Sequence, residues 1–323
     1  MGALAVTAKI IKENQETRMR FPISEPLHQS LRAVVAATVV ATLLAVSLAV
    51  CASALAAESS GGPALQEKYQ ALQPQLTNNQ FARPLYLNST ESSSSIKGDI
   101  YAVIDYPFAQ VRNSLTTPAH WCDVLILHLN TKYCRPGPGQ NPATLSMRVG
   151  KKHDQAIDDA YRIDFNYRVP ANGDDYFDVR LAADKGPIDT RDYRIQLEAV
   201  PLGDGRSFLH LTYSYSFGLA SRVALRAYLA TAGSDKVGFT QDKSDKSGYI
   251  GGMRGTVERN TMRYYLAIDA FLSGLAAPQA QQLEQRLQTW FSATERYPRQ
   301  LHEVDKNEYL VMKRKEYARQ NRE

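Results

Sequence analysis

The amino-acid sequence predicts an α+β fold with an antiparallel sheet and one long helix near the C-terminus. Apolar and polar residues alternate with a period of two in one segment after another between residues 143 and 217, as in strands that bury one face. Turn signals rich in glycine and proline separate these segments, so neighbouring strands are expected to pair as antiparallel hairpins. Residues 252–275 then carry apolar side chains at helical spacing and would cover the apolar face of the sheet.

The first 57 residues are predicted to be a signal peptide or an N-terminal membrane anchor. Residues 33–57 form an apolar run without a charge, preceded by arginines and followed by the polar ESSGG. The run ends in Ala54-Leu55-Ala56, a small-x-small site of the kind that signal peptidases cut. It is also long enough to span a bilayer uncleaved. Both alternatives place the rest of the chain outside the cytoplasm, so a periplasmic or secreted protein is expected.

Residues 58–97 are predicted to form an N-terminal helix and a linker. The helix is expected over 62–76 with an interruption near Pro74, and two extended segments follow at 84–89 and 98–106. Residues 107–127 are expected to be a pair of short helices, because Thr117-Pro118 in their middle is typical of a helix start.

Five tyrosines occupy apolar positions of the alternating strands. An apolar ring with a hydroxyl that needs a partner suits the lining of a site for an amphipathic ligand. They could equally be core or rim residues whose hydroxyls reach water. The five are Tyr161, Tyr167, Tyr193, Tyr213 and Tyr215.

Further helices are expected after the strands, at 219–232 and, after the long helix, at 279–295 and 303–320. The last two carry few apolar residues, so a C-terminal helical extension over 277–323 is predicted, packed on the outside or projecting from the domain. Its basic final segment is most simply a solvated helix face. Alternatively, residues 303–323 could contact a membrane surface or a partner protein through Tyr309, Met312 and Tyr317.

Charge and cysteine content narrow the classes of partner and of site. The formal net charge of +5 among 323 residues gives no reason to expect nucleic acid as a partner. Cleavage after residue 56 would leave two cysteines, Cys122 and Cys134, in an oxidising compartment. We expect them to form a disulfide that joins the second short helix to the following strand, ahead of free thiols or a metal site.

The order of elements resembles the START-like helix-grip superfamily, which includes polyketide cyclases and the birch-pollen-allergen type. DIYAVIDYPFAQVRNSLTTPAHWCDVL, residues 99–125, is similar to that superfamily's opening strand and helix pair. IGGMRGTVERNTMRYYLAIDAFLSGL, residues 250–275, stands where its long helix would be. The resemblance implies a domain over 98–276 in which a curved antiparallel sheet wraps around the long C-terminal helix. Residues 218–250 depart from it, because a typical member passes directly from the last long strand to that helix.

This resemblance also implies a cavity between sheet and helix for a lipid, sterol or other apolar ligand. The predicted binding residues are the five tyrosines, Tyr264 on the long helix, and Arg259 or Arg263, which could meet a ligand carboxylate or phosphate. The alternative for the two arginines is an ion-pair network that anchors the helix to the sheet. Lys236 and Arg222 could equally line a cavity mouth.

Three functions remain open at this point. The leading hypothesis is an exported domain that binds or carries an apolar or amphipathic ligand, a lipid above all. The first alternative is a cyclase-like or hydrolytic enzyme that uses the same cavity, although no catalytic residues, metal ligands or cofactor motif are evident in the sequence. The second alternative is a structural or interaction protein of the cell envelope with a closed core.

Overall fold

A computed structural model describes residues 61–139, 142–231 and 235–321. The predicted signal peptide or anchor lies outside these residues. Within the described ranges, none of the helices is both long and apolar enough to cross a membrane.

One antiparallel sheet of eight strands forms the framework, in the order β1-β2-β8-β7-β6-β5-β4-β3. The six strands from β3 to β8 make a meander of successive hairpins, and β8 returns to pair with β2. The strands are β1 Leu85–Glu91, β2 Ser95–Ile104, β3 Thr131–Pro136, β4 Ala143–Val149, β5 Tyr161–Asn172, β6 Phe177–Lys185, β7 Thr190–Pro201 and β8 Ser207–Phe217.

The helices are found where the sequence predicts them. Two short helices precede the sheet, two lie between β2 and β3, and the others follow β8. They are α1 Gly62–Ala71, α2 Gln73–Thr77, α3 Phe108–Leu115, α4 Pro118–Leu125, α5 Leu219–Thr231, α6 Gly252–Gly274, α7 Gln279–Thr294, α8 Pro298–Leu301 and α9 Lys306–Gln320.

The long helix α6 packs on the inner face of the sheet over β1, β2 and β8. The approach is close at Gly98 of β2, where an added Cβ would lie 2.4 Å from Thr261 Oγ1. Glycine is therefore required at the point where helix and sheet meet. A curved sheet gripping a long helix confirms the predicted α+β helix-grip fold.

The outer face of the sheet is partly covered as well, which differs from the expectation of a sheet covered on one side. Leu65 and Leu72, from α1 and the residue after it, pack with Val103, Val200 and Phe208 on the outer face. The N-terminal helices therefore close a second, smaller core.

Both C-terminal helices contribute to the main core and do not project from it. Trp290 of α7 stacks on Tyr309 of α9 with ring centroids 5.0 Å apart, and both side chains are fully buried. Trp290 Nε1 donates to the carbonyl of Arg263 at 3.1 Å, and the Tyr309 hydroxyl donates to the carbonyl of Leu127 at 3.0 Å. Residues 279–320 thus complete the core around α6, and no boundary of the core falls at residue 276.

Helix α9 is fixed to the edge strand β3 by two buried lysines that share one buried carboxylate. Lys132 Nζ lies 3.0 Å and Lys313 Nζ 2.5 Å from the Glu316 carboxylate. Lys313 also donates to the carbonyl of Thr131 at 2.7 Å, and Cys134 N–H of β3 donates to Gln320 Oε1 at 3.1 Å. Burial is possible because the carboxylate and backbone carbonyls satisfy both ammonium groups.

The disulfide between Cys122 of α4 and Cys134 of β3 is present, as predicted. The two Cα atoms are 5.2 Å apart, within the range that a disulfide spans. Since α4 also packs on α6, the bridge links the helices of the core to the edge of the sheet.

The segment between β8 and α6 is the part of the chain that departs from the predicted superfamily. Glu258, fully buried on α6, accepts hydrogen bonds from Phe239 N–H at 2.6 Å and from Thr240 N–H at 2.9 Å. Gly238 and Gly255 allow the two backbones to touch, because an added Cβ on Gly255 would lie 3.0 Å from Gly238 N. Residues 238–240 (GFT) and 251–255 (GGMRG) therefore pack directly against each other.

Candidate functional site

Four of the predicted binding tyrosines form a cluster, called here the tyrosine cluster, between β7, β8 and α6. It consists of Tyr193, Tyr213, Tyr215 and Tyr264. Tyr193 stacks on Tyr215 and Tyr213 contacts Tyr264, each pair with ring centroids 5.2 Å apart. The alternation of β8 and the helical spacing of α6 point these side chains at one another, as the sequence indicates.

The tyrosine cluster is slightly less buried than the middle of the inner face. Its members keep 7–9% of their surface exposed, whereas Ile195, Leu197 and Leu211 on the same strands are at 0%. The middle of the inner face is thus closed against α6. The tyrosine cluster lies at the end of the sheet where β7 begins and β8 ends.

Burial keeps the phenols of the cluster neutral. It raises the pKa of Tyr193 to about 12, although Thr190 Oγ1, 2.8 Å from the Tyr193 hydroxyl, opposes the shift. Burial also raises the pKa of Tyr213, Tyr215 and Tyr264. These hydroxyls can therefore donate and accept hydrogen bonds near neutral pH, but they do not ionise there.

The structure separates the other two predicted tyrosines from the cluster. Tyr167 is fully buried, and its hydroxyl lies 3.5 Å from the carbonyl of Leu115. Tyr161, expected on the apolar face, is 42% exposed at the start of β5 and lies close enough to Tyr193 to raise its pKa. Tyr167 belongs to the core and Tyr161 to the rim.

The predicted arginines of α6 bond to residues outside the tyrosine cluster. Arg259 donates to the carbonyl of Val237 at 3.0 Å, and Arg263 Nη2 donates to Glu303 Oε1 at 2.8 Å. Arg259 thus anchors α6 to the segment before it through a backbone carbonyl, and Arg263 anchors it to the segment after it through an ion pair with Glu303. Whether either arginine also binds a ligand stays a prediction.

Glu303 is the centre of a group of basic side chains, called here the basic corner. Lys152 Nζ lies 2.6 Å, Arg263 Nη2 2.8 Å and Lys236 Nζ 3.3 Å from its carboxylate. These cations outweigh burial and lower the pKa of Glu303. Three cations share one carboxylate, so the basic corner has an excess of positive charge. The sequence did not predict this group, because its residues are far apart in the chain and have no characteristic spacing.

His128 lies between the basic corner and the tyrosine cluster, and it was not among the predicted site residues. Its ring centroid is 5.0 Å from that of Tyr264, and the side chain is buried. Burial, followed by the charges of Arg263 and Lys313, holds the pKa of His128 well below its usual value. A histidine inside the apolar stretch LILHL was the available signal.

Exposed apolar side chains, called here the apolar rim, lie near the end of the sheet where β7 begins and β8 ends. Leu219 and Val223 of α5 are 80% and 62% exposed, and Ile188 in the β6–β7 loop is 64% exposed. The Ser221 hydroxyl donates to the carbonyl of Asp189 at 3.2 Å, which places the loop against α5. Clustered exposed apolar side chains are typical of binding surfaces.

The basic C-terminal segment does not offer the apolar contacts considered for it. Tyr309 and Met312 are buried in the core and Tyr317 is half-buried. The outward face of α9 instead carries Arg314 and Lys315, paired with Glu284 and Asp154. A membrane or protein contact through 303–323 remains a prediction without these apolar anchors.

Two other features lie away from the tyrosine cluster, on the outer face of the sheet. An open groove of about 680 Å³ is lined by polar side chains of β3, β4 and β5 that include Arg135, Arg148 and Asp164. His210, predicted on the polar face, lies between Asp99 and Glu198 at 2.9 and 3.1 Å. Within the described ranges, no group of three or more acidic, histidine or cysteine side chains is arranged to hold a metal ion.

Comparisons with known proteins bear on the fold. No family model matches the chain, and no curated protein matches it. It is similar to a STAR-related lipid transfer protein from Xanthomonas axonopodis (11% identity, TM-score 0.37, 58% of this chain and 93% of that one).

Two further solved structures show similarity of the same order. Human StAR-related lipid transfer protein 5 is 8% identical with a TM-score of 0.34, and the match covers 67% of this chain and 96% of that one. Norcoclaurine synthase from Thalictrum flavum is 12% identical with a TM-score of 0.31, and the match covers 46% of this chain and 79% of that one. Identities and TM-scores this low carry no argument about function. The fold of this chain is defined by its own strand order and long helix.

Proposed function

We propose that this protein is exported and binds or carries a lipid-like amphipathic molecule at the tyrosine cluster. The observation that carries the proposal is the clustering of four tyrosines at one end of the inner face. Inner-face residues of β7 and β8 in the middle of the sheet are fully buried against α6, whereas the four tyrosines keep 7–9% of their surface exposed.

The chemistry of the tyrosine cluster suits an amphipathic ligand. Aromatic rings provide apolar contact, and neutral hydroxyls provide hydrogen bonds that fix orientation. The rim of Ile188, Leu219 and Val223 offers an apolar path from the outside.

Export is supported by the apolar run at 33–57 and by the disulfide between Cys122 and Cys134, since disulfides persist in oxidising compartments. Cell fractionation combined with N-terminal sequencing of the purified protein tests this part. Recovery of the protein in the cytoplasm with alkylatable Cys122 and Cys134 would contradict export.

Native mass spectrometry of the purified full chain tests binding, followed by solvent extraction and lipid analysis. We expect a stoichiometric small-molecule adduct of amphipathic chemistry. A tightly folded protein without any adduct, which also fails to take up added lipids, would instead support the closed-core envelope protein. Conversion of the bound molecule on incubation would support the enzyme alternative.

A matched pair of variants connects binding to the tyrosine cluster. Removal of two cluster hydroxyls in Tyr213→Phe/Tyr215→Phe is expected to lower the ligand affinity by roughly thirtyfold, because each lost hydrogen bond is worth about 1 kcal/mol. Tyr167→Phe removes a hydroxyl that is turned to the Leu115 carbonyl in the core. Equal losses of affinity in the two proteins would place the ligand elsewhere.

A further inference from the structure

Among the residues that the structure describes, two buried N–H groups near the tyrosine cluster have no hydrogen-bond acceptor. They are Nε2 of His128 and Nε of Arg263, on residues that are 3% and 2% exposed. A buried donor without an acceptor is unfavourable, so each of these two N–H groups is suited to a ligand that supplies an acceptor.

The hydrogen-bond geometry of His128 shows which ring nitrogen carries the proton. Asn130 N–H donates to His128 Nδ1 at 3.1 Å, so Nδ1 accepts. The neutral imidazole, which burial and the neighbouring cations favour through a lowered pKa, therefore carries its proton on Nε2. Nε2–H is a fixed donor that awaits an acceptor.

Arg263 is held so that one edge of its guanidinium remains unused. Its Nη2 donates to Glu303 Oε1 at 2.8 Å and lies 3.4 Å from the carbonyl of Leu301. Nε–H makes no such bond. The His128 ring contacts that of Tyr264, and Arg263 is the charged side chain that acts most strongly on His128, so both donors lie near the Tyr264 side of the cluster.

The local charge favours an anion. Lys152, Lys236 and Arg263 share the single carboxylate of Glu303 at 2.6–3.3 Å. A nearby anion would be attracted by this excess of positive charge in a partly buried setting. A neutral acceptor would leave the excess uncompensated.

We propose that the ligand is an amphipathic carboxylate, with one carboxylate oxygen on His128 Nε2–H and the other on Arg263 Nε–H, and with its apolar chain against the tyrosine cluster. Two separate donors match the two oxygens of a carboxylate. The inference rests on the proposed function, because it assigns the polar end of the same ligand.

Binding of three twelve-carbon probes to the full chain tests the inference. Dodecanoate, dodecanol and dodecyl phosphate share the apolar chain and differ in the head group. We expect dodecanoate to bind about tenfold or more tightly than dodecanol, because hydrogen bonds to a charged group are the stronger ones, and more tightly than the bulkier phosphate. Equal affinity for dodecanoate and dodecanol would overturn the carboxylate assignment while supporting the proposed function. If no probe binds, both the carboxylate assignment and the proposed function are contradicted. A preference for dodecyl phosphate would overturn the carboxylate assignment and indicate a phosphate ligand.

Variants of the two donors separate their roles from simple damage to the fold. His128→Phe and His128→Gln both remove the acceptor for Asn130 N–H, but only glutamine keeps a donor near the Nε2 position. We expect the preference for dodecanoate to be lost in H128F and partly rescued in H128Q. Arg263→Lys keeps the charge and removes Nε–H, so it should weaken dodecanoate far more than dodecanol. A preference for dodecanoate that persists in folded H128F and R263K, with folding checked by circular dichroism, would overturn the inference.

Discussion

His210 illustrates how a polar outer face can be buried without becoming a reactive site. Both ring nitrogens face carboxylates, at 2.9 Å from Asp99 Oδ1 and 3.1 Å from Glu198 Oε2, so both donate and the imidazolium is the form that fits. Its ring stacks on Tyr101 with centroids 4.1 Å apart. The arrangement ties β2, β7 and β8 together beneath the N-terminal helices.

The stability that His210 confers is expected to depend on pH. Burial opposes the charged ring, but hydrogen bonds to Asp99 and Glu198 outweigh it and raise the pKa of His210. A group whose pKa is higher in the folded state stabilises fully below the unfolded value of about 6.5 and loses this contribution as pH rises through the folded value. The pKa of Asp99 is lowered to about 2, because His210, Lys97 and Thr212 outweigh burial, so its contribution is lost as pH falls from about 4 towards that value.

We therefore expect His210→Gln to lower the free energy of unfolding by about 1–3 kcal/mol at pH 5.5 and by much less at pH 9. Urea denaturation at the two pH values measures the difference. His302→Gln, which removes an exposed pair with Glu295, is the control and should cost less than about 1 kcal/mol. The same loss at both pH values in H210Q would show that the histidine does not act through its charge.

At the scale of elements, α6 is held by the segment that precedes it. Helix propensity alone predicts that Gly255→Ala stabilises α6 by about 1 kcal/mol. However, the added Cβ would lie 2.9 Å from the Ile250 carbonyl oxygen and 3.0 Å from Gly238 N. Both are backbone atoms that cannot rotate away, so overpacking should win and lower the free energy of unfolding by about 1–3 kcal/mol.

Gly251→Ala in the same GGMRG sequence is the matched control for this substitution. Nothing lies within 4 Å of its added Cβ, and its φ of −104° suits any residue. Thermal unfolding of the two variants decides the matter. A Gly255→Ala protein as stable as Gly251→Ala would show that the contact between the two segments is loose.

The docking of α9 on β3 depends on one carboxylate between two lysines. Burial lowers the pKa of Lys313 to about 8, although Glu316 acts in the opposite direction. Glu316→Gln would leave two buried ammonium groups without a counter-charge, which we expect to cost about 3–5 kcal/mol. On the same helix, Glu308→Gln removes an exposed pair with His153 and should cost less than about 1 kcal/mol. Denaturant midpoints measure both, and similar values for the two variants would refute a decisive role for Glu316.

At the scale of the molecule, the last two long helices belong to the folding unit. A chain that ends after residue 276 loses Trp290 and Tyr309, whose side chains are fully buried. We expect it to lack a cooperative unfolding transition, because the core around α6 would be open to water. Near-ultraviolet circular dichroism during heating measures this. A cooperative transition at a temperature near that of the full chain would instead support the prediction that residues 277–323 are an extension outside the domain.

The sequence predicted the architecture well because periodicity reports on which side of an element is buried. The tyrosines of β8 illustrate this, since alternation alone assigns Tyr213 and Tyr215 to the inner face. Alternation also assigns Tyr161 to the inner face, but its side chain is 42% exposed at the start of β5. It also missed His128, Lys152 and Glu303, which are far apart in the chain and meet only through tertiary packing. The polar appearance of α7 and α9 concealed their role, because Lys313 and Glu316 are buried as an ion pair, and composition counts them as solvent-exposed residues.

The contacts between α9 and β3 also have a consequence for solubility. An edge strand presents unpaired backbone groups that can template pairing with another chain. Here the outward carbonyl of Thr131 accepts from Lys313 and the outward N–H of Cys134 donates to Gln320, so side chains of a helix occupy positions that a foreign strand would otherwise use. The C-terminal helix thus protects this edge of the sheet from aggregation while it completes the core.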